Sequence, residues 1–329
     1  TKNPEEKPYF LTNQSAGSFN TFKHSFEAGT GKFLNNLLSV SARYSIINSD
    51  GYIDRAFSKL NSYNINALFE KGNTKLRFLT FGGKEKTYQA WNGIDKATYE
   101  SNPKFNYSGA IYDANWENII GFYDNETDNY RQNHYHLLWE QKLGKIWNLE
   151  TTFHLTHGEG YYENYKQDAK FSKYDLPNIV ENGNTITRTD FIRKKWLDND
   201  FYGVVSNLYG NFENLNLNFG VAANQYFGRH FGNVSGVKYT DIFEHEYYRN
   251  NALKNEVSGF AKAIYKMEKL EFFGDLQLRN IDYKTYILDE NAEEGANLSQ
   301  KWTFFNPKFG ANYQIENGKL FFSYAHAHR

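Results

Sequence analysis

Apolar and polar residues alternate with a period of two over long stretches of this chain, and that period belongs to strands rather than helices. The clearest stretch runs from Leu215 to Asn224. Leu215, Leu217, Phe219, Val221 and Ala223 fall on one face, and Asn216, Asn218, Gly220, Ala222 and Asn224 on the other. Successive strand side chains point to opposite sides, so the pattern predicts one apolar wall and one wet wall. Segments 38–46, 147–156 and 270–279 repeat the design. Further strand candidates lie near 9–15, 19–30, 58–70, 74–86, 128–142, 199–213, 250–267, 301–315 and 319–328, about 13 strands in all. Short links (Lys71-Gly72-Asn73, Leu143-Gly144-Lys145, Glu213-Asn214, Met267-Glu268-Lys269, Glu316-Asn317-Gly318) mostly alternate with long polar, aromatic ones near 87–127, 161–198, 229–249 and 286–300. Short turns at one end and long loops at the other describe an outer-membrane barrel, apolar outside and polar inside. Trp139 and Trp147 flank one short turn, where an interfacial aromatic girdle belongs.

Composition sharpens this picture. The chain carries 28 Phe, 26 Tyr and 6 Trp, yet its mean hydropathy is a polar −0.75. Aromatic belts over a wet interior reconcile the two numbers. A net charge of −1 leaves no basic footprint for nucleic acid. Cysteine is absent, which removes disulfides, thiol nucleophiles and Cys-ligated zinc. No run approaches the ~20 apolar residues of a spanning helix. The opening residues, Thr1 to Glu6, have no signal-peptide pattern, so the chain reads as a mature product or an internal piece.

An odd number of strands leaves two edges open, and open edges cannot sit in hydrocarbon. The fold expected is therefore all-β: an antiparallel transmembrane β-barrel, with residues 1–329 supplying about 13 strands of a 22-stranded barrel. The wet wall, rich in Asn, Ser, Thr, Glu and Arg, suits a wide lumen holding water or a polar plug.

Particular residues resemble a family. Gly17-Ser18-Phe19-Asn20-Thr21-Phe22-Lys23 followed by Gly29-Thr30-Gly31 looks like the start of a TonB-dependent receptor barrel just after its plug. Ser49-Asp50-Gly51-Tyr52-Ile53-Asp54-Arg55 resembles the next extracellular hairpin. Gly83 to Trp91, and Asp128 through Tyr135, resemble later strand-and-loop segments, and Ser323-Tyr324-Ala325 to Arg329 an unfinished strand-end box. The plug, the N-terminal box for the energy-transducing partner and the last strands are not found in the chain. The resemblance implies TonB-driven import of a scarce nutrient across the outer membrane of a Gram-negative bacterium. The cargo would be most often an iron–siderophore complex, with cobalamin or haem as other options. Partners would be outer-membrane lipid, the small-molecule metal chelate or vitamin, and the TonB complex through the missing N-terminal region.

Candidate chemistry is sparse. His134 and His136 share a strand face and, with Tyr135, Leu137 and Trp139 toward lipid, would point into the lumen. With no third ligand identifiable, they read as hydrogen-bonding lumen residues rather than a metal site. His326 and His328 have the same spacing, whereas His154 and His157 fall on opposite faces. Asp124 to Asn129 offers oxygen ligands but lacks a calcium-loop pattern, and reads as a solvated turn. Tyr88, Trp91, Tyr107, Tyr112, Trp116, Tyr161 and Tyr162 are the loop aromatics available to stack on a planar ligand. Arg43 and Arg77, with Lys75, would attract an anionic chelate or pair with a plug. No catalytic motif, cofactor motif or resident metal site is found. Three other readings stay open on sequence alone: a passive porin or structural barrel, an outer-membrane lipid hydrolase, and a soluble β-rich carbohydrate binder.

Overall fold

The computed structural model describes residues 3–287 and 297–328. Thirteen strands form one antiparallel sheet: β1 (Pro8–Gly17), β2 (Thr21–Phe33), β3 (Leu38–Ser49), β4 (Ser58–Lys71), β5 (Thr74–Tyr88), β8 (Thr127–Leu143), β9 (Trp147–Lys170), β12 (Arg188–Asn211), β13 (Leu215–Gly236), β14 (His245–Met267), β15 (Leu270–Ile287), β16 (Ser299–Ile315) and β17 (Gly318–Ala325). Each pairs with its neighbours in chain order, a meander whose edges are β1 and β17. Between β5 and β8 lie the short helix α1 (Lys96–Ser101) and a hairpin of β6 (Ala110–Tyr112) and β7 (Ile119–Phe122). Between β9 and β12 lie a 3-10 turn (Phe171–Tyr174) and a hairpin of β10 (Ile179–Glu181) and β11 (Asn184–Ile186).

Register carries the alternation around the sheet. Phe78 lies opposite Leu137, Leu137 opposite Phe153, Phe153 opposite Val204, and Val204 opposite Ala223. Residues that face each other across a ladder share a side, so these form one continuous apolar face. On that face Phe153, Val221 and Leu276 remain 50, 61 and 53% exposed. A soluble sheet would cover such a surface; this one presents it as a belt. On β9 the belt runs from Trp147 to Leu155. At ~3.3 Å per residue and a ~40° tilt those eight steps give a height of ~20 Å, near the ~25 Å apolar band of membrane barrels. Tyr44, Tyr63, Tyr135 and Tyr202 edge the belt toward the long links. Trp139 and Trp147 stand on the same face near the short turns. The opposite face carries His134, His136, Arg43 and Arg77.

The sheet corrects two expected loops. Residues 161–198 and 229–249 are mostly strand: β9 continues to Lys170, β12 begins at Arg188, β13 reaches Gly236 and β14 begins at His245. The links themselves are 171–187 and 237–244. Beyond the belt both faces are wet, so alternation vanishes while the backbone ladder goes on. Period-two reading cannot detect that. The link expected at 87–127 is present with its small helix and hairpin. Most of the one expected at 286–300 lies outside the described residues, β15 ending at Ile287.

Candidate functional site at the long-link end

Where β9, β12, β13 and β14 rise past the belt, the polar face gathers tyrosines and cations. Tyr162 lies opposite Lys195, Lys195 opposite Gly232, and Gly232 opposite Tyr248. One step nearer the links, Asn164, Arg193 and Val234 form the next row. Gly232 matters here because a Cβ at that position would run into the rings of Tyr247 and Tyr248. Lys195 Nζ lies 5.8 Å from the centre of the Tyr248 ring. Trp91, from the β5–β8 link, meets Tyr162 edge to face at 5.5 Å.

The 171–187 link folds back over this cluster because it has apolar surface to bury. Phe171, Tyr174, Phe191 and Val234 are 0–1% exposed and form the chain's buried core among the described residues. Tyr174 and Tyr247 pack with ring centres 5.0 Å apart. Burying three aromatics and a valine contributes on the order of 2 kcal/mol each, which ties the link to the sheet at Phe171 and Tyr174.

Polar bookkeeping in this region does not close. Arg193 Nη2 donates to Asn164 Oδ1 at 2.7 Å. Its Nε, and the hydroxyls of Tyr174 and Tyr247, are buried with no hydrogen-bond partner among the described residues. An unmet buried donor costs ~1–3 kcal/mol. The electrostatics agree in sign. In the part of β9 beyond the belt, burial depresses the pKa of Lys166, and the charges of Arg193, Lys173 and Lys195 push the same way against Glu126. Burial also raises the Tyr174 hydroxyl above its ordinary range. The cluster is thus cationic, aromatic and rich in donors, a setting that receives an anion bearing rings or oxygens.

Below it the same face hollows out. A space of about 420 Å³ is lined by Phe81, Glu85, Tyr130, Gln132 and His134, among others. Phe81 stacks on His134 at 4.4 Å and meets His136 edge on. His154 lies opposite His136, adding a third imidazole from the next strand. These rings have work already: His134 Nδ1 bonds Thr156 Oγ1 at 2.9 Å and His154 Nε2 bonds Asn224 Oδ1 at 2.8 Å. Nearer the short turns, Arg43 lines a polar hollow with Tyr9, Glu27 and Asn64, and Arg77 is buried and donates to Asn3 Oδ1.

Of the residues singled out from sequence, Trp91 and Tyr162 stand in the cluster. Tyr88 is buried, and its hydroxyl donates to the carbonyls of Ser108 and Tyr123 at 3.0 and 2.8 Å, which anchors the β5–β8 link. Tyr112 and Trp116 stack on each other at 5.8 Å on the β6–β7 hairpin, and Tyr107 turns its hydroxyl toward Thr98. Tyr161 lies on the opposite face, against Trp196 at 4.4 Å. The expected solvated turn at 124–129 holds a buried Glu126, which accepts from Asn164 Nδ2 and Tyr165 N, both at 2.8 Å. Lys166, Tyr174, Arg193, Lys195, Tyr247 and Tyr248 were not singled out. They fall in stretches that read as loop, and only cross-strand register brings them together.

Comparisons with known proteins converge on one family. A family model, TonB dependent receptor-like, beta-barrel, matches residues 80–329. Among solved structures, the open form of the ferric-catecholate import receptor Fiu from E. coli K12 superposes with a TM-score of 0.66 at 13% identity. It covers 99% of this chain and 55% of that one. The unliganded ferric citrate transporter FecA gives 0.69 at 8% identity, covering 98% and 44%. The copper transporter OprC gives 0.68 at 13%, covering 99% and 46%. At such identities the likeness is one of fold, and the chain spans about half the length of these proteins. No curated protein matches the sequence. Family and structural neighbours are receptors and transporters, not enzymes. With the sheet, its apolar belt and a family model over most of its length in agreement, the chain belongs to the TonB-dependent receptors, as part of their β-barrel domain.

Proposed function

We propose that this chain is the N-terminal half of the barrel of an outer-membrane importer, and that it receives an anionic metal chelate at the long-link end. An iron–siderophore complex fits best. In that reading a plug precedes Thr1 and further strands follow Arg329, completing a barrel of about 22 strands. The TonB complex acts through the preceding region. The apolar belt faces lipid and the polar face lines the lumen.

One observation carries the reading. Arg193 Nε and the hydroxyls of Tyr174 and Tyr247 are buried, with no hydrogen-bond partner among the described residues, beside Lys166 and Lys195. A ferric catecholate or hydroxycarboxylate supplies negative oxygens to such donors, and flat ligand rings to Tyr248 and Trp91. Cobalamin carries no comparable negative charge, and haem offers two carboxylates on a wide apolar disc. The test is equilibrium quenching of protein fluorescence in the full-length receptor, titrated with ferric catecholate, ferric citrate, haem and cobalamin. Arg193→Ala and Lys195→Ala are expected to weaken the ferric complexes ~10-fold or more each, about the worth of one charge-assisted contact. Tight cobalamin binding indifferent to both changes would replace the reading, and absence of binding by any of the four would favour a passive pore.

A further inference from the structure

Just above the belt, the outward face gathers four side chains able to ligate a metal on two adjacent strands. His157 and Glu159 stand two apart on β9, and Asp198 and Asp200 two apart on β12. Register sets His157 directly opposite Asp200 and Glu159 directly opposite Asp198, so all four share one side of one ladder. That side is the outward one, because Phe153 and Leu155 of the belt precede His157 at the same period. Ligand atoms of His157, Asp198 and Asp200 lie within 4.8 Å of one another, the one such group of three among the described residues. His157 Nδ1 is 2.8 Å from Asp200 Oδ1, and its Nε2 is 3.6 Å from Glu159 Oε2. The four side chains are 27–39% exposed, open to an ion arriving from solvent.

Charge supplies the second observation. Glu159 opposite Asp198 is a like-charge pair across a ladder, which is destabilising unless neutralised, and Asp200 adds a third carboxylate on the same side. The flanking strands neutralise the block only in part. Arg131, opposite Glu159 on β8, bonds Glu159 Oε1. Arg229, opposite Asp198 on β13, donates through Nη2 to Asp198 Oδ1 at 2.7 Å and to Asp200 Oδ2 at 2.8 Å. Over the block and these two arginines, three carboxylates against two guanidiniums leave one negative charge when the imidazole is neutral. Glu159 Oε2, Asp198 Oδ2 and Asp200 Oδ1 are bonded to neither guanidinium. Arg229 is itself incompletely met. Its Nε, and Oδ1 of Asn251 directly opposite on β14, are buried with no hydrogen-bond partner among the described residues. Arg229 thus has an acceptor to turn to when a stronger cation takes the carboxylates.

From this block we propose that His157, Asp198 and Asp200, with Glu159 beside them, bind one divalent first-row cation of the zinc class, which clips β9 to β12 on the outward face. An imidazole nitrogen among carboxylate oxygens suits Zn²⁺, whereas Ca²⁺ and Mg²⁺ favour shells made wholly of oxygen. Bonds of ~2.0–2.2 Å in a tetrahedral shell set ligand atoms ~3.3–3.6 Å apart, so side-chain shifts on the order of 1 Å close the site. The clip ties the two strands where they leave the belt and rise toward the mouth. It faces away from the lumen and carries no cargo, so it does not depend on the importer reading.

The test uses the full-length receptor in detergent, stripped with EDTA and titrated with zinc chloride against a chromophoric zinc indicator in the presence of excess Mg²⁺. His157→Ala and Asp200→Asn are each expected to weaken zinc binding at least ~10-fold, while His134→Ala on the lumen face leaves it unchanged. Co²⁺ in place of zinc is expected to give visible d–d absorption in the wild type that His157→Ala abolishes. Equal zinc affinity in the wild type and a folded His157→Ala variant overturns the proposal, as does displacement of the zinc by Mg²⁺. Should the variants not fold, as read by heat-modifiable gel mobility, an anomalous difference map at the zinc edge from wild-type crystals grown with zinc decides. A peak between His157 and Asp200 is expected there, and its absence overturns the proposal. Fluorescence titration with ferric chelates is expected to be unaffected by His157→Ala, so this site and the importer reading can fail separately.

Discussion

Val221 and Ala222 are neighbours on β13 that face opposite ways, which makes them a test of which wall meets lipid. Val221 lies opposite Ser206 and Gly259, is 61% exposed, and sits mid-belt between Phe219 and Ala223. Ala222 lies opposite Val205 and Ser258 on the polar face. Val221→Arg places a guanidinium in the apolar belt with no carboxylate opposite it, its cross-strand neighbours being Ser206 and Gly259. An arginine on the lipid face near the midplane costs ~2–4 kcal/mol, so ~3 kcal/mol is expected, with a further contribution of under ~1 kcal/mol from the lost valine. The longer side chain partly escapes by reaching upward toward Gln225, which keeps the sum near the lower figure. Ala222→Arg enters a wet lumen, and a change within ~0.5 kcal/mol is expected. The assay is urea unfolding of the full-length receptor in phosphatidylcholine vesicles, followed by tryptophan fluorescence, with both variants at equal slope. At a slope of ~3 kcal/mol/M, Val221→Arg moves the midpoint down by ~1 M and Ala222→Arg by less than ~0.2 M. Equal shifts, or a larger one at Ala222, would refute the assignment of faces and with it the bilayer-spanning account.

Other expectations follow from the links and the mouth. Gly109 has φ +74°, and a Cβ there would meet the Tyr88 hydroxyl and the Tyr123 carbonyl. Gly109→Ala is expected to loosen the β5–β8 link by ~1–3 kcal/mol and open it to limited proteolysis while the barrel stays intact; an unchanged cleavage pattern would contradict this. Phe171→Ala removes a fully buried ring from the core of the 171–187 link and should cost ~3–5 kcal/mol there, seen as faster amide exchange confined to residues 171–187 and 237–247. Lys166 gives a pH dependence with a defined sign. Its folded pKa lies below the ordinary lysine value, so raising the pH through that lowered pKa removes a positive charge from the mouth and weakens an anionic chelate. The same shift makes the folded mouth more stable as pH rises, because the unfolded chain holds the proton more tightly. Lys166→Met should flatten the part of the affinity profile that lies below the ordinary lysine range; an unchanged profile would assign the dependence elsewhere.

The belt was legible because its rule is strict: on each strand that carries it alternate residues are apolar, as Leu215 to Ala223 shows residue by residue and Trp147, Leu149, Phe153 and Leu155 show with one break at Thr151. The short turns at Gly72, Gly144 and Asn317 were legible for a local reason, since turn chemistry is written in adjacent residues. Beyond the belt neither rule holds. Residues 161–170 and 188–198 are strand, and their charges and tyrosines look like loop. The mouth cluster was illegible for a further reason: Tyr162, Arg193 and Tyr248 are far apart in sequence and meet only through a register that nothing local specifies. Tyr161 and Tyr162 make the point together. They are adjacent and alike in sequence, yet one stacks on Trp196 outside and the other faces Lys195 within. His154 likewise joins His136 across a ladder, so a histidine pair in the chain became three in the sheet.

The central claim is that the inward cluster of Arg193, Tyr174, Tyr247 and their neighbours receives a metal chelate. An anomalous difference map at the iron edge tests it most directly, from crystals of the full-length receptor grown with a ferric catecholate complex. The account predicts one iron peak on the lumen side of β9, β12 and β14, with ligand oxygens completing the Arg193 Nε and the two tyrosine hydroxyls. An iron peak held elsewhere in the lumen, with those three groups still unpartnered, would contradict it.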